Sequence, residues 1–528
     1  MNRPRRGAAE ASPWAPLGLP TFRWLWLGVL VGYIGVWMQT VGAQWLLVED
    51  LDAGGVVALV QTAATLPVML LALPAGVLAD VFDRRWVLFT VQVYVLLVAG
   101  TLALLTLAGH VTAPLLLAFT FLLGLGGAVQ LPAWQAVIPE LVPRSQLGAA
   151  TRLEMVGVNF GRSAGPALAG LVIALAGVPA VFALNAVSVI LLAVLLLRWR
   201  SSADSLGPRE RFVPALRAGS RYVWFEPVVR RILLRTVLFI APGAVLWALL
   251  PLVARNQLGL GAGGYGVLFA ALGVGAIVTA VVMGRIRRRL STNRLLAAAG
   301  LAYAVALLVL VLVPHVVAAL LSLVLAGLAW TSVISTLNAE LQLFLPVWVR
   351  ARGLAVYLVV FTGSLAVGSL LWGQITDLVG LRTTFLVAAA VVAAGVVAGI
   401  FWRLPDTSGF TAKPAVYWPE PRVAVDPDQD GGPVVITVEY TIAPERETAY
   451  LAAMDQLRSS RRRTGATRWE LYRDAERPDR FVEMFRVPSW EEHLRQHSGR
   501  LTAADQEVEE AALALSDPPA RAEHLLPP

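Results

Sequence analysis

No cysteine occurs among the 528 residues, which excludes disulfides, thiolate metal ligands and cysteine nucleophiles while leaving the redox compartment open. Charged residues are also scarce, at 15%, against 57% hydrophobic residues and a mean hydropathy of +0.67. That balance lies outside the range of soluble globular domains. What is abundant is apolar sequence in runs of about 20 residues, each long enough for a helix to cross a bilayer. Such runs cover 22–47, 55–79, 86–109, 112–138, 146–176, 179–198, 229–254, 263–284, 293–313, 315–343, 352–376 and 382–402. Helices are the spanning form, because lipid offers no partner to open backbone groups. The expected fold class is therefore an all-α membrane protein with twelve transmembrane helices in two six-helix halves, followed by a small α+β domain.

Acidic residues are rare in the membrane part. Met1–Arg403 holds 28 basic and 13 acidic residues, whereas Leu404–Pro528 holds 15 and 22, so +15 and −7 combine to the net +8. The arginines fall in alternate connections: 24 lie on one side, with the N-terminus, while Arg255 and Arg382 alone lie on the other and Arg152 and Arg162 on a helix. This is the positive-inside pattern, so both termini are expected in the cytoplasm, and the basicity reflects topology rather than nucleic-acid binding. The N-terminal arginines precede an apolar run too long for a secretory leader and lacking a small-residue cleavage site, so that run is read as the first span. The expected organisation is 1–198 as an N-terminal half, 199–228 as a cytoplasmic linker with an interfacial helix near Val213–Phe225, 229–403 as a C-terminal half, 404–432 as a second linker, and 433–528 as a cytosolic domain.

Between the second and third spans stands Gly76-Val-Leu-Ala-Asp80-Val-Phe-Asp83-Arg84-Arg85. Glycine permits a tight turn, a carboxylate can cap a neighbouring helix, and Arg84 or Arg85 can pair with Asp83 or Asp80. A solvated loop obeying the charge rule is the plainer alternative. The decapeptide resembles the loop signature of the major facilitator superfamily, Gly-x-Leu-Ala-Asp-x-x-Gly-Arg-Arg, with Asp83 in place of a glycine. The resemblance implies that Asp80 latches the cytoplasmic gate against the start of the eleventh span, near Arg350–Gly353. A degenerate echo, Gly284-Arg-Ile-Arg-Arg-Arg-Leu, follows the eighth span and fits a two-half layout.

In the fifth span, Gly161 and Gly165 form a small-xxx-small face and Pro166 permits a bend. The stretch Gly161–Gly170 resembles the Gly-Pro motif of superfamily exporters, which implies export, although packing alone could demand the glycines. On the same helix Arg152, Met155, Asn159 and Arg162 share one face by their 3-4-3 spacing. Arg152 can snorkel to the interface, whereas Arg162 is about 15 Å further along and is the sharper candidate for an anionic or phenolic substrate group. Comparable stripes run through Trp37 and Gln44 in the first span and Asn338 in the tenth, where the alternative is polar glue between helices. Buried carboxylates for proton coupling are few: Glu154 and Glu340 lie towards cytoplasmic ends and Asp377 near the opposite end, and none makes a convincing proton carrier. The fourth span lacks the arginine of proton-coupled drug exporters, which leaves coupling open.

Leu345–Gly353 and Gly363–Gly373 resemble the enterobactin-exporter-like branch, also called transmembrane secretion effectors, whose members often carry a cytosolic tail. The tail here alternates as strand 434–442, helix 444–462, strands 468–472 and 480–487, and helices 490–496 and 502–515, the order of a ferredoxin-like domain. It is similar to antibiotic-biosynthesis monooxygenases, which implies self-association through the C-terminal domain. His493 and His497 lie one helical turn apart, but the charges around them favour a surface position and no third metal ligand is apparent.

The resemblance implies a multi-pass transporter of the bacterial plasma (inner) membrane. It would export a small amphipathic molecule, such as a siderophore, drug or secondary metabolite, by secondary active alternating access. Its expected partners are that substrate and the lipid bilayer, with no cofactor, metal or nucleic acid. The alternative is a membrane-anchored enzyme whose active site is the tail, but an anchor needs neither paired halves nor a gating loop.

Overall fold

The computed structural model describes residues 12–49, 54–199, 221–405, 432–496 and 500–527. Among them, nine helical segments are long and apolar enough to cross a membrane. In chain order the long helices are α1 (Pro20–Glu49), α2 (Val57–Val81), α3 (Arg84–Leu107), α4 (Ala113–Leu141), α5 (Leu147–Arg198), α6 (Pro227–Leu252), α7 (Ala262–Arg287), α8 (Thr292–Leu312), α9 (Val316–Phe344) and α10 (Val347–Phe401). Prolines inside α2, α4 and α6 are tolerated because neighbouring helices and side chains absorb the freed carbonyls.

Two of these helices are double. α5 turns at Gly177 (φ 77°, ψ 173°) and α10 at Gly380 (φ 80°, ψ 161°). Both glycines sit in a left-handed region that side chains disfavour, so each lets the chain reverse without a separate loop. The sequence places gaps at these same points, after 176 and after 376.

The chain divides into two compact units. The first contains 1–208, 235–336 and 358–403; the second contains 209–234, 337–357 and 404–528. In the first unit, one core beneath α1, α3, α4 and α5 is built from Phe22, Leu25, Leu88, Trp134, Val137, Leu153 and Leu192.

In the second unit, β1 (Val434–Thr441), β2 (Arg468–Arg473), β3 (Arg480–Val487) and β4 (Arg521–Leu525) form an antiparallel sheet in the order β2-β3-β1-β4. Helices α11 (Glu447–Thr464), α12 (Trp490–Arg495) and α13 (Ala503–Leu513) intervene. Strict alternation on β1 turns Val434, Ile436, Val438 and Tyr440 towards Tyr450, Met454 and Leu457 of α11. The sequence reading stops before β4. Arg-Ala-Glu-His-Leu has no apolar alternation, and its pairing with β1 supplies what its composition does not.

An ionic cluster lies inside this apolar layer. Glu483, at 0% exposure, accepts from Tyr440 Oη at 3.0 Å, Trp469 Nε1 at 2.9 Å and Arg461 Nε at 3.2 Å, and Arg461 also reaches Glu509 at 2.6 Å. Thr502 and Asp505 form a capping box at the start of α13. Burial works against the Asp505 carboxylate, but Arg463 at 2.5 Å, with Ser460 and Thr502, outweighs it and holds the group below the usual range.

One reading gains detail in this unit and another is corrected. Arg221–Phe225, within the span expected as an interfacial helix, is helical and does not stand free: Tyr222 packs edge-on to Trp348 with ring centroids 5.7 Å apart, and Arg221 donates to the Gly465 carbonyl at 2.5 Å. Glu226, 3% exposed, pairs with Arg463 at 2.7 Å, so the segment is held by the C-terminal domain. Residues 200–220, which carry most of the expected interfacial helix, lie outside the described residues. His493 is not on the surface either: it is 2% exposed, beside Trp490 and 4.9 Å from the His524 ring, because α12 turns it inward. His497 lies outside the described residues.

Candidate functional site

The glycines of α5 determine how its neighbours approach. A methyl group at Gly161 would stand 2.7 Å from Tyr33 Cβ, and one at Gly165 would stand 2.6 Å from Trp37 Cβ, so both positions press on α1. Further along, a methyl at Gly170 would lie 2.8 Å from the Ala262 carbonyl oxygen and 2.9 Å from Gly266 Cα on α7. A methyl at Gly266 would stand just as close to the Pro166 carbonyl oxygen, at 2.9 Å. Backbone therefore lies on backbone where α5 meets α7. Only glycine fits such an approach.

Aromatic rings fill the space beside this seam. Trp37 of α1 lies 6.0 Å from Trp247 of α6 and 6.0 Å from Phe269 of α7, and Trp247 lies 5.3 Å from Trp330 of α9. Gln44 is fully buried, donating to the Trp247 carbonyl at 2.9 Å and accepting from Tyr265 Oη at 2.7 Å. Both ends of its amide are engaged by helices. Its expected role as a substrate ligand thus gives way, in this conformation, to that of a tie between α1 and the α6–α7 pair. Other ties join the same end of the bundle: Arg255 donates to the Val48 carbonyl, the Gly55 amide to Asp377 Oδ1 at 3.0 Å, and Thr62 to the Ala366 carbonyl at 2.9 Å.

The polar face of α5 is divided. Arg152 and Met155 are exposed, and Asn159 is half-buried. The half-buried Arg162 donates to Asn159 Oδ1 at 2.7 Å and has no acidic partner among the described residues. Glu154, one residue from the stripe, faces the opposite way. It accepts from Tyr33 of α1 and from Trp134 Nε1 of α4 at 2.8 Å. The sequence reading set it aside as lying near the helix end, and its proximity to the stripe was the only available signal. Asn338 accepts from Gln342 one turn along α9.

At the α2–α3 turn, Asp83 does not serve as the side-chain partner for the arginines. Its carboxylate caps α3, accepting from the Arg85 amide at 2.9 Å. The long arginines instead reach towards the C-terminal ends of other helices, and Leu196 and Leu197 are among the last carbonyls of α5, which lack intrahelical donors. Arg84 binds the Ala136 carbonyl at 3.0 Å and the Glu140 carboxylate on α4, while Arg85 binds the Leu196 and Leu197 carbonyls of α5 at 2.7 Å each. Gly76 and Asp80 belong to α2, but their side-chain surroundings lie outside the described residues. Asp83→Ala is expected to cost about 1 kcal/mol through loss of the cap, read as faster amide exchange over the first turn of α3.

Residues 11–526 match the family profile described as transmembrane secretion effector. A staphyloferrin A transporter of Staphylococcus aureus is 23% identical over 356 residues, covering 67% of this chain and 89% of that protein. The enterobactin exporter EntS of Escherichia coli O1:K1 is 30% identical over 270 residues, 50% of this chain and 62% of that one. A solved bacterial homologue of the human lysosomal transporter Spinster, inward-facing and unoccupied, superposes with a TM-score of 0.56 at 15% identity, covering 72% of this chain and 94% of the other.

Proposed function

This chain belongs to the transmembrane secretion effector family, and from that membership we propose that it exports an anionic, siderophore-like small molecule through a twelve-helix major facilitator fold. It is a transporter rather than an enzyme. The twelve spans come from nine apolar segments, two of them doubled at Gly177 and Gly380, together with α2. Their halves are 1–198 and 229–403, and the βαββααβ order with its β2-β3-β1-β4 sheet supports a ferredoxin-like domain at 433–528. Both termini face the cytoplasm of a bacterial cell, because 24 arginines share that side. With that orientation, the ties at Gln44, Gly55, Thr62 and Gly170 close the outer ends of the helices, and the substrate enters from within.

Arg162 carries the reading. A guanidinium in a spanning helix with only Asn159 as partner is stable where an anion or water can reach it, and a catecholate or carboxylate would supply the missing charge. Trp37, against Gly165, offers an aromatic wall on the adjacent helix. Asp80 is proposed to act in closing the cytoplasmic gate once the substrate has bound, and the C-terminal domain to mediate self-association.

The test is transport of enterobactin, as a probe, into inside-out proteoliposomes carrying the purified protein. Arg162→Ala is expected to raise the half-saturating concentration by about 10- to 100-fold, the worth of one hydrogen-bonded charge, with thermal stability unchanged. Arg162→Lys should recover part of the loss. Equal transport by all three proteins would remove Arg162 from the site.

A further inference from the structure

Glu154 is, among the described residues, the one acidic side chain buried within a spanning helix, at 8% exposure. Asp377 is exposed, and Glu140 is half-buried and paired with Arg84. Glu154 has no cation against it: its oxygens are held by Tyr33 Oη and Trp134 Nε1, both neutral donors. The charged groups on the surrounding elements point elsewhere. On α1, Arg23 lies over Trp24, and on α3 both Arg84 and Arg85 bind the ends of α4 and α5. On α5 itself Arg152 is exposed and Arg162 turns to Asn159. On α7, which also packs on α5, the charges are the arginines at the far end. Asp80 on α2 lies outside the residues with described side chains.

A carboxylate in this setting has two chemically distinct arrangements. Ionised, it accepts from both donors, as observed. Protonated, its own O–H needs an acceptor, and the adjacent one is Tyr33 Oη, which must then turn its hydrogen away. Proton binding therefore reverses the direction of the hydrogen bond between α5 and α1. Those two helices are the ones that carry Gly170 and Gln44, two of the contacts that bind the halves together. The bond that reverses therefore joins two helices that also take part in the seam.

We propose that Glu154 is the proton-binding residue through which an inward proton gradient drives export. The proposal deepens the transport reading above and rests on it.

Two measurements on the full-length protein test it. The first needs no substrate: infrared difference spectra of the protein in lipid nanodiscs, recorded across a pH titration. A protonated-carboxyl band is expected in the parent and missing in Glu154→Gln, while Tyr33→Phe displaces its frequency without removing it. If Glu154→Gln does not fold, Glu154→Asp takes its place, and a band left undisplaced there overturns the assignment. The second measurement follows enterobactin, as the probe, in proteoliposomes with and without an imposed pH gradient. One pH unit supports about tenfold accumulation when one proton exchanges for one substrate molecule. The parent is expected to show that accumulation, and Glu154→Gln to lose it while keeping gradient-free exchange. Accumulation that survives in Glu154→Gln overturns the proposal and leaves the export reading intact. If the parent moves no probe under either condition, the export reading fails for that probe. The infrared band then decides alone, and a band retained in Glu154→Gln overturns the role of Glu154.

Discussion

Gly170→Leu is expected to abolish net transport while leaving the protein folded in the membrane. Even the first carbon of the new side chain would meet the Ala262 carbonyl oxygen at 2.8 Å and Gly266 Cα at 2.9 Å. Both obstacles are backbone, which cannot swing aside as a flexible side chain would. The remaining three carbons force α5 and α7 apart, and overpacking of this kind costs about 1–3 kcal/mol or more. In the proposed orientation that cost falls on a closed outer seam and is absent once the helices have separated. A bias of about 3 kcal/mol shifts the two-state ratio by about a hundredfold, enough to trap the transporter open to the outside. The chain's lack of cysteine gives a clean readout, because Leu258→Cys would be the sole thiol. Its labelling by a membrane-impermeant reagent from outside should rise sharply in the Gly170→Leu background, with Gly170→Ala intermediate. Unchanged labelling would mean that the glycine seam is not the outer closure.

Glu483→Ala is expected to have the largest effect on the C-terminal domain. The substitution deprives Tyr440, Trp469 and Arg461 of one common acceptor at a site with no solvent to replace it. Breaking one partner of a buried ion pair costs about 3–5 kcal/mol, because the remaining charge is left uncompensated. Glu509 still faces Arg461 and places the expected loss near 3 kcal/mol. Against the 5–15 kcal/mol that holds a typical domain together, this is a large share. Amide exchange of β1 and β3 in the full-length protein should accelerate about a hundredfold, while the exchange of α3 and α8 stays as in the parent. Glu483→Gln, which keeps an acceptor oxygen, should accelerate it less. Parental exchange in the alanine variant would show that the cluster contributes no stability.

Helix positions were legible because bilayer length and hydropathy act on contiguous residues. The run 22–47 became α1 at 20–49, and the run 86–109 became α3 at 84–107. The α2–α3 turn was legible as a turn but not in its pairings: Arg84 and Arg85 find partners 52 to 112 residues away, beyond any local spacing rule. Glu154 was legible as a carboxylate near a helix end but not in its partner, since Tyr33 is 121 residues from it in sequence. Gln44 looked like a ligand because a glutamine within a span stands out, yet its amide is consumed by Trp247 and Tyr265, 203 and 221 residues away. β4 escaped because an edge strand made of Arg, Glu and His owes its conformation to its neighbour rather than to its own pattern.

The second unit is assembled from three stretches of chain, and the order of synthesis gives that arrangement a meaning. Arg221 emerges 244 residues before its partner Gly465, and Trp348 emerges 152 residues before Arg500, whose carbonyl it binds and whose guanidinium lies over its ring. Chains are delivered N-terminus first, so Tyr222, Glu226 and Trp348 wait, uncovered, until the last helices are in the bilayer and the sheet has folded. A chain cut short before Arg500 leaves these groups bare. Residues 432–527 therefore complete a surface that the ribosome began laying down long before, and the Arg500 guanidinium over the Trp348 ring marks a tail that has folded.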